Sequence, residues 1–453
     1  MRRREQYKHL LNLAANYVML ACEAALFAYI WYEIYYPMLL KEQRFWNRGN
    51  WAMIGMYVLL MYFFTRTFGG YRIGYLRITD ICLSQILSIF CANVVGYLQV
   101  CLIANDYMPV SPMLALTGLE LLIILPGVYL VRFVYTRLYP PRKMIVIYGQ
   151  HSPKDLIKKI NSRKDKYNVC ATASVYMGYK ALYEKIMEYE AVVLCDLPTK
   201  MRNPILKFCF DQGKRTYITP KISDIILTGT ERIHLFDSPL MLSRNRGLTI
   251  EQRFAKRAMD IVFSLGAIVI SSPVLLLIAA CIKLYDKGPV FYTQERLTRD
   301  GEIFKIIKFR SMRIDSEKDG AQLAKKNDDR ITPIGRLIRR THFDELPQIF
   351  NILKGEMSFV GPRPERESIA SQYEAMIPEF SFRLKVKAGL TGYAQVYGKY
   401  NTTPYDKLKL DLTYIETYSF WQDIKLMIMT FKIIFQKENT EGIDKGQVTA
   451  AKK

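Results

Sequence analysis

Four apolar runs, at 15–36, 51–65, 80–104 and 112–135, crowd the first third of this 453-residue chain. Each is long enough, or nearly so, to cross the ~30 Å hydrocarbon core of a bilayer as a helix. The second is the weakest, thickened by Phe63 and Phe64. The pattern selects a membrane protein over a soluble one with buried helices. No small-residue cleavage site follows the first run, so a cleaved signal peptide is not expected.

Basic residues orient the spans. Arg2, Arg3, Arg4 and Lys8 precede the first run, and Arg66, Arg72 and Arg77 lie between the second and third. Arg132, Arg137, Arg142 and Lys143 surround the end of the fourth, whereas 105–111 has no Lys or Arg. The N-terminus and everything after 140 are therefore expected in the cytoplasm, although Lys41, Arg44 and Arg48 in the first outer loop pull the other way. With 64 Lys and Arg against 42 Asp and Glu, the net charge is +22. Such a balance suits a polyanion, an anionic membrane surface or phosphate-rich substrates. Four His make a His-built metal site improbable, and eight Cys without a CxxC pair indicate neither a disulfide framework nor a zinc knuckle.

The chain changes character at Tyr139-Pro140-Pro141. The run KMIVIY at 143–148 has a buried-strand pattern, and 169–176, 191–196 and 215–219 repeat it between helix-like pieces. A small βαβ domain follows from this alternation. Its first turn, Gly149-Gln150-His151-Ser152, carries a single Gly instead of the glycine-rich phosphate cradle. A structural or regulatory spacer is favoured over dinucleotide binding.

A fifth run, 261–282, is uncharged, but Ser271-Ser272-Pro273 interrupts it. Pro removes a backbone donor and kinks a helix, while Ser can satisfy freed carbonyls. Both flanks are basic: Arg253, Lys256 and Arg257 before, Lys283 and Lys287 after. Cations at both ends favour a re-entrant element kinked at Ser272 and Pro273, entering and leaving on one face, over a full span or a buried core helix.

Residues able to carry chemistry lie between 288 and 398. A strand is expected to open at Gly288-Pro289-Val290-Phe291, with Gln294 and Arg296 following. In EIFKIIKFRSM (302–312), period-two alternation puts Lys308 and Arg310 on one strand face, where they could clamp phosphate or simply meet solvent. In RRTHFDELPQ (339–348), Pro347 belongs in a first turn, which starts a helix near 344–347. Asp344 and Glu345 then cap that helix and complement its dipole, or they act: one carboxylate attacks phosphorus and the other holds Mg²⁺. His342 is expected to pack or face solvent. Gly361-Pro362-Arg363-Pro364 forms a rigid loop that presents Arg363 at low entropic cost.

Taken together, KRAMDIVFS, SSPVLLL, KGPVFYTQER, FKIIKFRSM, DDRITPIGR, FDELPQIFNILKGEMSFVGPRPE, GLTGYAQVYG and LKLDLTYIETYS resemble the bacterial sugar transferase family over about 200 residues. These are the polyprenyl-phosphate sugar-1-phosphate transferases, or monotopic phosphoglycosyl transferases. The whole chain is similar to the family's long form. That implies a four-helix transmembrane domain at 1–140 and a Rossmann-like, CoA-binding-like and degenerate α/β domain at 141–245. It also implies a mixed α/β catalytic domain at 250–453, anchored by a re-entrant helix at about 254–285.

The resemblance implies that a UDP-sugar, with glucose or galactose the first choices and an N-acetylhexosamine the alternative, gives its sugar-1-phosphate to undecaprenyl phosphate and releases UMP. Asp344 would be the nucleophile that forms an aspartyl phosphosugar, and Glu345 would help bind Mg²⁺. Arg363 would contact phosphate, with Lys308, Arg310 and Arg296 lining the same pocket. The step would initiate exopolysaccharide, capsule or O-antigen synthesis at the bacterial inner membrane, with the lipid bilayer as a partner. A homo-oligomer is compatible with the sequence, and nucleic acid is not an expected partner. Two departures from the family pattern, Leu297-Thr298 after Arg296 and Ala388 before Gly389, bear on nucleotide or sugar fit. A membrane-attached glycosyltransferase, releasing UDP, and a non-catalytic membrane sensor are the other classes kept open. The tail at 420–436 is expected as a helix, interfacial or core.

Overall fold

A computed structural model describes residues 2–42, 48–243, 247–313, 330–398 and 402–434. Arg44, the 328–329 start of DDRITPIGR and the 435–436 end of the tail run lie outside the described residues. The chain divides into two compact units, Met1–Thr219 and Pro220–Lys453.

In the first unit the apolar runs become helices: α1 (Arg2–Ile30) continued through a π turn (Trp31–Tyr35) into α2 (Tyr36–Glu42), then α3 (Gly49–Phe68), α4 (Ile78–Ala104) and α5 (Ser111–Leu138). Four of the five described helices long and apolar enough to cross a membrane are these, from Tyr7–Leu40 to Ser111–Leu138. Their shared core includes Phe27, Trp31, Tyr57, Ile89 and Ile124.

Within that core the fully buried Glu120 meets Tyr57 and Asn93. The Tyr57 hydroxyl has one proton and faces two oxygens, Asn93 Oδ1 at 2.8 Å and a Glu120 carboxyl oxygen. Asn93 Nδ2 donates to the other Glu120 oxygen at 2.8 Å. A neutral acid at 120 supplies the missing proton and closes the ring of hydrogen bonds that ties α3, α4 and α5. Glutamine offers the same donor and acceptor. Glu120→Gln should therefore leave thermal stability in detergent within about 0.5 kcal/mol of wild type. Glu120→Leu should cost roughly 1–3 kcal/mol by removing the buried partner that the Tyr57 hydroxyl and Asn93 Nδ2 share. Equal losses in both variants would contradict this account.

The α/β layer of the first unit holds β1 (Arg142–Tyr148), α6 (Lys154–Asn161), β2 (Tyr167–Ser174), α7 (Tyr179–Met187), β3 (Ala191–Cys195), α8 (Thr199–Asp211) and β4 (Arg215–Ile218). The strands pair in parallel in the order β2-β1-β3-β4. Both faces are covered, Ile145, Ile147 and Leu194 on one side and Met144, Val146 and Val193 on the other. That is why these strands read as unbroken apolar runs. Gly149 follows β1 where a Cβ would sit 3.0 Å from the Asp196 carbonyl oxygen, so the close approach of backbone accounts for a glycine there. Asp165 binds Arg132 at 2.5 Å and Arg163 at 3.0 Å, and Arg163 also donates to the Tyr75 carbonyl. These bonds fasten the layer to the helices.

The second unit begins with α9 (Ile222–Thr228), which packs on α15 (Pro404–Glu416), so 220 onward folds with the C-terminal part. An antiparallel hairpin, β5 (Glu231–Leu235) and β6 (Ser238–Leu242), follows with all its residues exposed. The long α10 (Ile250–Asp286) starts at a capping box of Thr249 and Gln252. Then come the antiparallel pair β7 (Phe291–Leu297) and β8 (Ile303–Phe309), α11 (Pro333–Arg340), and α12 (Gln348–Lys354). Further along, β9 (Ser358–Val360) and β10 (Gly389–Thr391) pair in parallel, flanking α13 (Glu367–Met376). The chain closes through α14 (Tyr393–Tyr397), α15 and α16 (Phe420–Ile434). In α16, Asp423 and Leu426 are buried while Trp421 and Phe431 are exposed, so one face belongs to the core.

Helix α10 is bonded to its unit at both ends. Near its start, Arg257 donates to the Ile352 and Leu353 carbonyls at 2.7 Å, and Lys256 pairs with Asp423 at 2.5 Å. Asp260 accepts from Ser358 Oγ and the Phe359 amide at 3.0 Å. Near its end, Ile278 and Ile282 pack with Phe309 and Ile338. Between them Val262, Leu265, Val269, Ile270, Leu276 and Leu277 are exposed. Pro273 leaves the Val269 carbonyl without its backbone donor, and Ser272 Oγ donates to it at 2.9 Å. Helical geometry continues through the proline.

Candidate active site

The turn that carries the two acidic residues is built by its neighbours. Helix α11 ends at Thr341, and His342 takes a left-handed conformation (φ 59°) that reverses the chain. A single 3₁₀ turn, Phe343–Glu345, follows, and α12 begins only at Gln348, with Pro347 at its N-cap. The expected helix start at 344–347 is corrected by this: Asp344 does not cap the helix, because a separate turn precedes the proline. His342 acts through backbone conformation.

Across from the turn, β8 presents Lys308. Asn351 on α12, fully buried, fixes that strand: its side-chain oxygen accepts from the Ile307 amide at 2.9 Å and its nitrogen donates to the Lys305 carbonyl at 2.8 Å. Lys308 Nζ reaches Glu345 Oε1 at 2.7 Å. The loop after β9 brings Arg363, whose Nη2 donates to the same Glu345 oxygen at 2.9 Å. Glu345 is 15% exposed and Arg363 45%, so the clamp sits at a surface with its guanidinium open to solvent.

Burial alone would oppose ionisation of Glu345. The charges of Arg363 and Lys308 and their hydrogen bonds outweigh it and hold the carboxyl well below the usual range. Asp344 goes the other way. Burial and then the Glu345 charge push its carboxyl up, against the pull of Lys308, Arg339 and His342. Two adjacent carboxyls thus have opposite character, as different chemical jobs require.

The structure brings together Asp344, Glu345, Lys308 and Arg363. It places Arg296 and Arg310 differently. Strand β8 stops at Phe309, and the Arg310 guanidinium lies against Gly288, where a Cβ would sit 2.3 Å from Nη1. Arg296 donates to the Pro364 carbonyl at 3.2 Å and to Gln294 at 2.7 Å, so it meets the Arg363 loop from behind. Arg383, Asp411, Glu365 and Lys407 also hold that loop, and of these only Glu365 and Asp411 fall within the sequence stretches quoted above. Asn351 carried no signal of its own, because its task depends on a strand 44 residues away.

Among the described residues no group of three or more His, Cys, Asp or Glu could cage a metal ion. The hard oxygens of Glu345 fit the alternative habit of Mg²⁺, which takes one or two carboxylates together with substrate phosphates.

The family model for bacterial sugar transferase matches residues 251–437. A UDP-N-acetylgalactosamine-undecaprenyl-phosphate N-acetylgalactosaminephosphotransferase of Aeromonas hydrophila is 42% identical over 184 residues, 40% of this chain and 44% of that protein. A UDP-glucose:undecaprenyl-phosphate glucose-1-phosphate transferase of Caulobacter vibrioides is 37% identical over 189 residues, 41% of this chain and 71% of that protein. An undecaprenyl-phosphate galactose phosphotransferase of Salmonella typhimurium is 34% identical over 239 residues, 49% of each. Against the Aeromonas and Salmonella proteins the match thus spans about half of the relative's length or less.

Proposed function

The chain belongs to the bacterial sugar transferase family, and from that we propose that it moves a hexose-1-phosphate from a UDP-sugar to undecaprenyl phosphate. The observation that carries the proposal is the 3₁₀ turn on which Asp344 stands beside Glu345, with Glu345 held by Lys308 and Arg363. An Asp344 oxygen attacks the sugar-bearing phosphorus. The bond from that phosphorus to the bridging oxygen breaks, and its electron pair leaves with UMP. An oxygen of the lipid phosphate then attacks the same phosphorus and expels the Asp344 carboxylate, giving the lipid diphosphate sugar. Lys308 and Arg363 bind and orient the donor's diphosphate, and the rigid prolines flanking Arg363 limit what that orientation costs. Glu345 would hold Mg²⁺, whose charge when bound neutralises the diphosphate.

Relatives named for N-acetylgalactosamine, glucose and galactose support a hexose or N-acetylhexosamine as the donor's sugar. The reaction commits a sugar to the lipid carrier, which is the initiating step of exopolysaccharide, capsule or O-antigen synthesis. Full-length protein in detergent, given undecaprenyl phosphate and a panel of UDP-sugars, should release UMP with one donor preferred. Release of UDP would assign a glycosyltransferase, and no release with any donor would leave the sensor class.

The anchor follows from α10. Both of its ends hold the same α/β unit, and its exposed apolar middle lies between them, which supports a re-entrant element inserted from one face. The four N-terminal helices then form the transmembrane bundle, and the α/β parts face the cytoplasm at the inner membrane. In a cysteine-free background, Glu251→Cys and Lys287→Cys should both react with an impermeant maleimide only in inside-out vesicles. Labelling of the two sites from opposite sides would place α10 across the bilayer.

A further inference from the structure

The Arg363 loop is held by a buried guanidinium that faces neither carboxylate of the candidate site. Arg383 is 3% exposed and Asp411 is 1% exposed. Arg383 Nε and Nη2 both reach Asp411 Oδ2, at 2.9 and 2.7 Å. Its Nη2 also donates to the carbonyl of Arg363 at 3.0 Å. The ring of Phe380 lies 5.1 Å beneath the guanidinium. Nη1 stands 3.6 Å from Glu365, which Lys407 binds from the other side.

The neighbouring carbonyls are held as well. Pro364 oxygen accepts from Arg296 at 3.2 Å, and Glu365 oxygen accepts from the Leu297 amide at 3.0 Å. Three successive carbonyls are thereby fixed. Pro362 sets its own φ, and Pro364 confines Arg363 to extended backbone. Within that region the direction of the Arg363 carbonyl still decides ψ. It also decides where the residue's side chain departs. The bond from Arg383 restrains that torsion.

We propose that Arg383, oriented by Asp411, is a positioning residue that aims the Arg363 guanidinium at Glu345 and at the donor phosphate. The proposal rests on the phosphotransfer reading of the site. Arg383 touches neither Asp344 nor Glu345 in any described contact, so its influence on turnover passes through Arg363. A one-ångström error at a group that orients a reacting phosphate costs about a hundredfold in rate.

The test is a double-mutant cycle on the full-length protein. Arg383→Lys keeps the charge for Asp411 but cannot serve Asp411 and the Arg363 carbonyl with one fork. Arg383→Gln with Asp411→Asn keeps a neutral hydrogen-bonded pair if the charged variant misfolds. In the wild-type background either change should lower kcat/KM for the UDP-sugar by about a hundredfold, leaving the KM for undecaprenyl phosphate unchanged. In an Arg363→Ala background the same change should cost less than about threefold. Equal losses in both backgrounds would mark Arg383 as merely structural and overturn the proposal, as would full activity of the single variants. A structure of the Arg383→Lys protein tests the role independently of turnover. Arg363 should leave hydrogen-bonding distance of Glu345, and an undisturbed pair overturns the assignment. If the wild-type protein releases no UMP from any donor, the phosphotransfer reading fails, and that structure still decides the positioning role.

Discussion

Asp344→Asn should abolish UMP release, with a loss of at least about a thousandfold, while the protein remains folded. The amide matches the carboxyl in shape but cannot form an ester with phosphorus. Stability should stay level or rise. Burial and the Glu345 charge push the Asp344 carboxyl upward, so folding makes this group harder to ionise than it is in the unfolded chain. Keeping this carboxylate ionised at neutral pH therefore costs folding energy, and a neutral side chain removes that cost. Loss of function without loss of stability is the expected mark of a site strained for chemistry. Mass spectrometry should find a phosphohexose on the peptide containing Asp344 after brief exposure of wild-type protein to donor alone, and not in the variant. Unchanged turnover in Asp344→Asn would end the covalent mechanism.

What the sequence made legible followed from periodicity. The four N-terminal runs became α1 to α5, and 143–148, 191–196 and 215–219 became β1, β3 and β4 almost residue for residue. Buried parallel strands and candidate spans are long, uniform patterns, and no tertiary detail is needed to see them. Asp344, Glu345, Lys308 and Arg363 could be named from short motifs, and the fold does gather them. The local geometry was less legible. Pro347 signalled a helix start, but the left-handed His342 that creates a separate turn for Asp344 has no periodic signature. Strand alternation placed Lys308 and Arg310 together. The strand ends between them, so the partner Lys308 shares at Glu345 is Arg363, which lies 55 residues further on. Supports such as Asn351 and Arg383 act on backbone groups far along the chain, and their side chains carry no chemical signal on their own.

Glu345 should separate binding from turnover. Its carboxylate occupies the two cations that the proposed mechanism assigns to the diphosphate, through bonds of 2.7 Å to Lys308 and 2.9 Å to Arg363. In the proposed mechanism an incoming diphosphate would compete with it for Lys308 and Arg363, and Glu345 would then be available to hold Mg²⁺. Glu345→Gln removes the competitor and also the hard oxygen ligand. In calorimetry without Mg²⁺, this variant should bind UMP at least as tightly as wild type, and turnover should fall by about a hundredfold or more. Arg363→Ala should behave in the opposite sense for binding. It loses a charge-assisted contact of about 1.5–3 kcal/mol, so UMP affinity should fall by roughly 10- to 150-fold. The two variants therefore both lose activity, yet they should diverge in nucleotide affinity, which a general disturbance of the turn cannot produce. Weaker UMP binding by Glu345→Gln in the absence of metal would mean that Glu345 organises Lys308 and Arg363 for the donor rather than competing with it.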